Sequence, residues 1–379
     1  MSHHEVIVIG VGCMGSATCS HLARRGVDVL GLERHSIPHD QGSSGHQSRI
    51  FRQAYFEHTN YVPLLKRARE GMMELNELGE TTVYHETGAL YIAPPGGEVV
   101  EGAHASALEH DITVERLDAA AIMDRYPMFT LPDDFIGLLE PTAGWVVPEE
   151  AIARQVEVAR SHGAEIRENT IVTGWSATDA GILVETDAGH VTADRLVISS
   201  GAWTSDLLPD LPLQVSRQIL GWLQPDELAP FTQGRFPVWA IELEDQSLLY
   251  GFPRLDDIDG PGGLKVARHW AAETCHPETV DRSRREGDED DFLPHIARLL
   301  PTAVGPVSDI RICLYTNTPD GHFIIDRHPE HDNVVFAAGF SGHGFKFHSV
   351  IGEVLADLAT VGSTPHPVSF LRLDRFTSG

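Results

Sequence analysis

The chain has 379 residues, of which 42% are hydrophobic, enough for two domains with cores of their own. Its 28 basic and 55 acidic side chains give a net charge of −27, which disfavours nucleic acid and anionic membranes as partners. The acidic residues are spread along the chain, as on a well-solvated surface, with adaptation to salt as the alternative. No apolar run reaches the roughly 18 residues that a membrane span requires.

The cysteines Cys13, Cys19, Cys275 and Cys313 show neither a C-x-x-C pair nor the spacing of a disulfide framework. The N-terminus enters an apolar strand pattern without the features of a secretory signal. Both observations favour a cytoplasmic, reducing location. No H-E-x-x-H or similar spacing occurs among the 21 histidines, so we predict no metal site.

The N-terminal segment has the pattern of a dinucleotide-binding unit. EVIVIG predicts a buried strand, SATCSHLARRG a helix, and VDVLGLE a second strand that ends at Glu33. Between the first two elements, Gly10 permits a tight turn, Gly12 a close approach of pyrophosphate, and Gly15 close helix packing. Glu33 can accept hydrogen bonds from a ribose. An ordinary glycine turn is the alternative, and the motif does not separate NAD from FAD.

Later segments favour a flavin. VTADRLVISSGAW predicts a strand that runs into a turn, and AIARQVEVARSHGAEIRENTIVTGW predicts a helix followed by a strand. NVVFAAGFSGHGFKFHSVIGEVLADLA predicts a strand, a glycine loop and a helix. The positive N-terminal end of such a helix can stabilise the negative charge of a reduced flavin.

These elements predict an α/β fold, α+β overall, in which a Rossmann-like FAD-binding domain is interwoven with an antiparallel-sheet substrate domain. The alternating patterns SLLYGFP and GLKVARHW supply strands of the second domain. We assign residues 1–80, 144–210 and 311–379 to the FAD-binding domain and residues 81–143 and 211–310 to the substrate domain.

Eight segments together carry a family resemblance: GVGCMG, GSSGHQSRIFRQAY, EPTAGWVVPE, SSGAW, YGFP, GLKVARH, CLYTNTPDGHFIID and GFSGHGFKF. With them the chain resembles, over nearly its whole length, the monomeric sarcosine oxidase and N-methyltryptophan oxidase family of FAD-dependent amine oxidases. The resemblance implies a fold like that of D-amino acid oxidase and a monomer that acts on a small amino acid and O2.

The resemblance also implies roles for individual residues. Cys313 is expected to form a thioether with the 8α-methyl group of FAD, although an isolated cysteine is more often a small buried hydrophobe. Arg52 and Lys346 are expected to bind the substrate carboxylate. Lys265 is expected to promote the reaction of reduced flavin with O2; a lysine whose head reaches solvent is the alternative.

Among the other implied site residues, Arg49 lies near the flavin ring, and His269 and Tyr250 orient the substrate and tune polarity. The remaining cofactor-binding positions are Cys13, Met14, Arg34, Ser44, Gly201, Trp203, Gly342, His343, Gly344 and Lys346. Arginines on a surface are the alternative for Arg49 and Arg52.

The predicted reaction is oxidation of a secondary amino acid such as sarcosine, with hydride transfer to flavin N5, imine hydrolysis and release of H2O2. N-methyltryptophan, pipecolate, proline or a glycated amino acid are alternative substrates, because the loop RLDDIDGP looks longer and more acidic than in sarcosine oxidases. An NAD-dependent dehydrogenase and a non-catalytic flavin-binding module are the competing functions. GFSGHG does not match the G-x-S-x-G nucleophile elbow of hydrolases, because His343 occupies the position of the last glycine. The segment therefore does not predict a hydrolase.

Overall fold

The computed structural model describes residues 2–256, 258–269 and 273–376. In chain order the strands are β1 His3–Ile9, β2 Val29–Leu32, β3 Arg49–Phe51, β4 Tyr84–Glu86, β5 Ala89–Ala93, β6 Glu115–Asp118, β7 Ile136–Glu140, β8 Gly144–Val146, β9 Glu165–Arg167, β10 Val172–Thr178, β11 Gly181–Thr186, β12 Gly189–Ile198, β13 Gln214–Leu223, β14 Val238–Glu242, β15 Leu248–Gly251, β16 Leu264–His269, β17 Glu273–Thr274, β18 Val307–Asn317, β19 Ile324–Arg327 and β20 Val334–Ala338. The α-helices are α1 Cys13–Arg24, α2 Val62–Glu77, α3 Glu98–Glu109, α4 Ala119–Arg125, α5 Pro148–Ser161, α6 Thr204–Leu207, α7 Leu293–Leu299 and α8 His348–Thr360.

The first sheet has a parallel centre in the order β9-β2-β1-β12-β20. β2 and β20 are continuous buried runs, and β1 and β12 end in such runs, as expected where helices cover both faces of a parallel sheet. β10, β11 and β19 extend it in antiparallel pairing. The predicted strand–turn–helix–strand unit is thus β1, α1 and β2, and the predicted strand at VTADRLVIS is β12, beside β1.

The second sheet contains β5, β6, β7 and β13 to β18 and is mostly antiparallel. Its strand β13 pairs with β16 on one side and with β18 on the other. In this register Trp222 faces Lys265 and Gln218 faces Cys313. Two residues far apart in sequence therefore come to flank the same strand.

The predicted domain boundaries cross elements of the fold. β18 pairs along β13 in the second sheet, so the boundary at residue 311 falls inside this strand. A third, small sheet joins β4 to β3 and β8, which the prediction placed in different domains. The assignment of these residue ranges to the two domains stays a prediction. In the loop RLDDIDGP, Asp257 lies outside the described residues, as does Trp270 of GLKVARHW.

Across the described ranges, no helix is long and apolar enough to cross a membrane. In the same ranges, no group of three or more His, Cys, Asp or Glu side chains is placed to hold a metal ion.

Candidate active site

A long cleft lies at the carboxyl ends of β1, β2 and β12, the edge at which parallel α/β sheets bind ligands. Most of the predicted cofactor-binding residues line it, namely Gly10, Gly12, Cys13, Met14, Glu33, Arg34, Ser44, Arg49, Gly201, Trp203, Gly342 and Gly344. These residues come from five separated stretches of the sequence, and the fold brings them together in one cleft.

The turn between β1 and α1 fits a dinucleotide. A Cβ on Gly15 would lie 1.8 Å from Gly10 O, so the helix could not pack there with any other residue. A Cβ on Gly12 would meet nothing within 4 Å, which leaves open space above the backbone at the helix N-terminus. The helix packs closely on the turn at Gly15, and the backbone at Gly12 is open to a ligand. This arrangement suits the pyrophosphate of FAD.

Glu33 lines the same cleft, just after the end of β2 and beside the turn between β1 and α1. Glu33 Oε2 accepts a hydrogen bond from Val11 N at 2.8 Å, and Oε1 accepts one from His35 N at 3.1 Å. Although burial acts to raise it, hydrogen bonds from His39 and these amides hold the pKa of Glu33 below its usual value. Glu33 is therefore an ionised carboxylate at the end of β2, as a ribose diol requires.

A second cavity adjoins the cleft and shares Arg49, Tyr315, Gly342 and Phe345 with it. Its polar and ionisable lining residues are Arg49, Arg52, Glu57, Tyr91, Tyr250, His269, Cys313, Tyr315, His343 and Lys346. Three residues predicted to bind the cofactor, Cys313, His343 and Lys346, line this second cavity and not the cleft. We call it the substrate cavity.

Arg52 and Glu57 form a buried ion pair in the substrate cavity. Arg52 Nη2 donates to Glu57 Oε1 at 2.5 Å, and the side chains are only 7% and 8% exposed. Although burial acts to raise it, the charge of Arg52 lowers the pKa of Glu57 to about 2. The guanidinium also lies 4.0 Å from the centre of the Tyr55 ring and 4.6 Å from that of Phe56. The cation is thus fixed in place by a carboxylate and two aromatic faces.

Lys346 supplies a second cation in the same cavity. It precedes α8 and is buried, and its Nζ donates to His343 O at 2.8 Å. Burial and the charge of Arg52 lower the pKa of Lys346 to about 7, while Glu57 acts in the opposite direction. An anion that enters the cavity would favour the charged form of Lys346, because an opposite charge offsets the effects of burial and Arg52 on its pKa.

Cys313 lies where the substrate cavity meets the cleft at the carboxyl ends of β1, β2 and β12, which we call the cofactor cleft. It is on β18, buried, and its Sγ accepts from Arg49 Nη2 at 3.7 Å. Arg49 Nη2 also donates to Ser43 O at 2.9 Å and Gly45 O at 2.6 Å. Arg49 therefore ties the loop after β2 to the strand that carries the cysteine.

Lys265 is buried, with 2% of its surface exposed, so the alternative of a head that reaches solvent is wrong. Its Nζ donates to His46 O at 2.6 Å and Ser48 O at 2.8 Å, and lies 5.6 Å from the centre of the Trp222 ring. Burial and the charge of Arg49 lower the pKa of Lys265 well below that of an ordinary lysine.

Lys265 and His269 lie four residues apart on β16, so both point to the same face of the sheet. His269 Nδ1 is 3.1 Å from Tyr315 Oη. Burial and the neighbouring His343 lower the pKa of His269 to about 3, so its imidazole is neutral at neutral pH. Tyr250 lines the same cavity, and burial raises its pKa to about 12.

Glu57 and Tyr315 are site residues that the sequence analysis missed. Tyr315 is two residues after Cys313 on β18, so the period of a strand could have placed both on one face. Glu57 follows β3 in a loop, where no periodic pattern relates it to Arg52.

Residues 5–358 match the sequence profile of the FAD dependent oxidoreductase family. The chain belongs to this family. It is 41% identical over 370 residues to the monomeric sarcosine oxidase of Streptomyces avermitilis, with 96% of each chain covered. It is 35% identical over 376 residues to the N-methyl-L-tryptophan oxidase of Citrobacter koseri, with 99% of each covered.

Among solved structures, this FAD-dependent oxidoreductase is similar to NikD, described as an unusual amino acid oxidase essential for nikkomycin biosynthesis. The TM-score is 0.84 at 25% identity, and 98% of each chain is covered. The predicted fold, the resemblance, and the identification as an FAD-dependent amine oxidase are confirmed.

Proposed function

We propose that this enzyme oxidises secondary α-amino acids, with sarcosine as the simplest member of the class, and uses O2 as the electron acceptor. The observation that carries the proposal is the pair of buried cations, Arg52 and Lys346, in a cavity that adjoins the cofactor cleft. Relatives named for sarcosine and N-methyl-L-tryptophan support the same substrate class.

In this proposal the side chains hold and orient the substrate. Arg52 and Lys346 bind its carboxylate through charge-assisted hydrogen bonds. The imidazole of His269, neutral because of its low pKa, does not repel the substrate ammonium. When bound, FAD would supply the redox chemistry, as acceptor of a hydride from the carbon beside the nitrogen and as donor of two electrons to O2, which takes up two protons to give H2O2. Water then hydrolyses the resulting imine.

The proposed function is tested by adding a panel of secondary amino acids to the purified, flavin-loaded enzyme in air. The panel contains sarcosine, N-methyl-L-tryptophan, L-proline and L-pipecolate, and H2O2 release is the readout. We expect H2O2 with at least one member and none with N-acetylsarcosine, in which the amine has become a tertiary amide. The proposal would be refuted if no member of the panel released H2O2.

The carboxylate site makes a separate prediction. Arg52→Gln and Lys346→Gln should each weaken binding of propanoate, which has a carboxylate but no amine. The expected loss is about 1.5–3 kcal/mol per variant, the usual scale for hydrogen bonds to charged groups. Titration of the flavin absorbance with propanoate measures it.

Arg125→Gln is the matched control, because Arg125 is exposed and pairs with Glu115. It should leave propanoate affinity unchanged. The carboxylate assignment is wrong if neither Arg52→Gln nor Lys346→Gln changes the affinity.

A further inference from the structure

An outer chamber adjoins the substrate cavity. The two spaces share the lining residues Phe56, Glu57, Val99, Leu248 and His343. The chamber reaches the surface, since several of its other lining residues are exposed, among them Glu98, Asp245 and Asp320. We therefore expect a side chain on the α-carbon of a bound amino acid to extend from the substrate cavity toward this chamber.

Glu57 lines both the substrate cavity and the outer chamber, and one of its carboxylate oxygens accepts no hydrogen bond from the described residues. Its Oε1 accepts from Arg52, but its Oε2 is buried and has no hydrogen-bond partner among the residues that the structure describes. The side chain is only 8% exposed. A buried carboxylate oxygen without a partner is costly, and a donor on a ligand would remove that cost. The unused oxygen thus points to a cationic or N–H group in the passage.

The rest of the chamber is also acidic. Three of its carboxylates pair with arginines: Glu57 with Arg52, Asp245 with Arg268, and Asp320 with Arg375. Glu98 and Glu242 form no ion pair within the described residues. Glu242 is buried and accepts from Glu98 N at 3.3 Å and Val99 N at 2.9 Å, at the start of α3. The lining therefore keeps an excess of negative charge, which attracts cations and repels anions.

We propose that the preferred substrate is a secondary α-amino acid whose side chain ends in a cation. Its carboxylate binds Arg52 and Lys346, and its cationic end enters the outer chamber against Glu57, Glu98 and Glu242. This inference rests on the proposed function and names the substrate class within it. A neutral side chain would fill the same space without satisfying the unused oxygen of Glu57.

The test compares kcat/KM for Nα-methyl-L-lysine, N-methyl-L-norleucine and N-methyl-L-glutamate, with sarcosine as the reference without a side chain. The lysine and norleucine derivatives have side chains of similar length that differ in charge. We expect the lysine derivative to exceed the norleucine derivative by about tenfold or more, the scale of one hydrogen bond to a charged group. The glutamate derivative should be the poorest of the three.

Glu98→Gln provides the second arm, because Glu98 lines the chamber and not the substrate cavity. It should lower the ratio of the lysine to the norleucine derivative by about threefold or more and leave sarcosine oxidation unchanged. Glu101→Gln is the matched control, because it changes the net charge by the same amount. Glu101 is on the same helix as Glu98 and pairs with Arg116. Glu101→Gln should leave the ratio unchanged.

Two failures can be told apart. If sarcosine or the norleucine derivative yields H2O2 and the lysine derivative is no better, the cationic class is refuted and the proposed function stands. The cationic class is equally refuted if Glu98→Gln and Glu101→Gln change the ratio to the same extent, because bulk charge then explains the preference. If no compound yields H2O2, the proposed function falls, and this inference falls with it.

Discussion

Lys265→Met is expected to slow reoxidation of the reduced enzyme by O2 by about 10²–10³-fold, the usual effect of removing one preorganised charge or donor. The first electron transfer to O2 forms superoxide, an anion that the ammonium would stabilise. Lys265 is buried and its Nζ is held by the carbonyls of His46 and Ser48, so its position is fixed before O2 arrives. Flavin reduction by substrate under anaerobic conditions should fall far less. Stopped-flow absorbance measures both steps.

The ionisation of Lys265 adds a pH dependence with a definite sign. Burial and Arg49 lower the pKa of Lys265, so the ammonium is present at low pH and is lost at a lower pH than for an ordinary lysine. Reoxidation in the wild type should therefore slow as the pH rises through that pKa. In Lys265→Met the same step should show no such decline.

Lys66→Met is the matched control for Lys265→Met. It removes the same charge from an exposed position on α2, where Lys66 Nζ donates to His110 O. Reoxidation should stay at the wild-type rate in this variant. An equally fast reoxidation in Lys265→Met would show that Lys265 only supports the backbone at residues 46–48.

Cys313→Ala is expected to abolish retention of flavin by acid-denatured protein. A thioether survives unfolding, whereas a cofactor held only by the fold leaves when the cleft opens. Cys313 is the buried cysteine of the substrate cavity, with Sγ 3.6 Å from Ser43 O and 3.7 Å from Arg49 Nη2. The wild-type pellet after acid precipitation should be yellow, and the Cys313→Ala pellet colourless.

Cys275→Ala serves as the control, because Cys275 is partly exposed and lies in a separate cluster with Trp203 and Val280. Its pellet should keep the flavin. Mass spectrometry of the tryptic peptide that contains residue 313 should show the added mass of the flavin in the wild type and in Cys275→Ala. Complete release of flavin from the wild type would disprove the attachment.

Much of the cofactor cleft follows from local sequence patterns. The apolar run before Gly10, the spacing to Gly15 and the acid at Glu33 predicted β1, α1 and β2 in their observed order. These patterns can be recognised in the sequence because a helix and a strand each repeat over a few neighbouring residues. The same period places Lys265 and His269 on one face of β16.

The ion pair of Arg52 with Glu57 and the shape of the outer chamber were decided by tertiary structure. Glu57 lies in a loop, and the chamber takes residues from segments near β3, α3, β14 and α8 that are up to about three hundred residues apart along the chain. β18 likewise belongs to the second sheet because β13 pairs with it, which no pattern within β18 could show. The periodicity of a strand or helix determines which face of that element carries a side chain. Which residue lies opposite it in a cavity depends on how distant segments of the chain pack together.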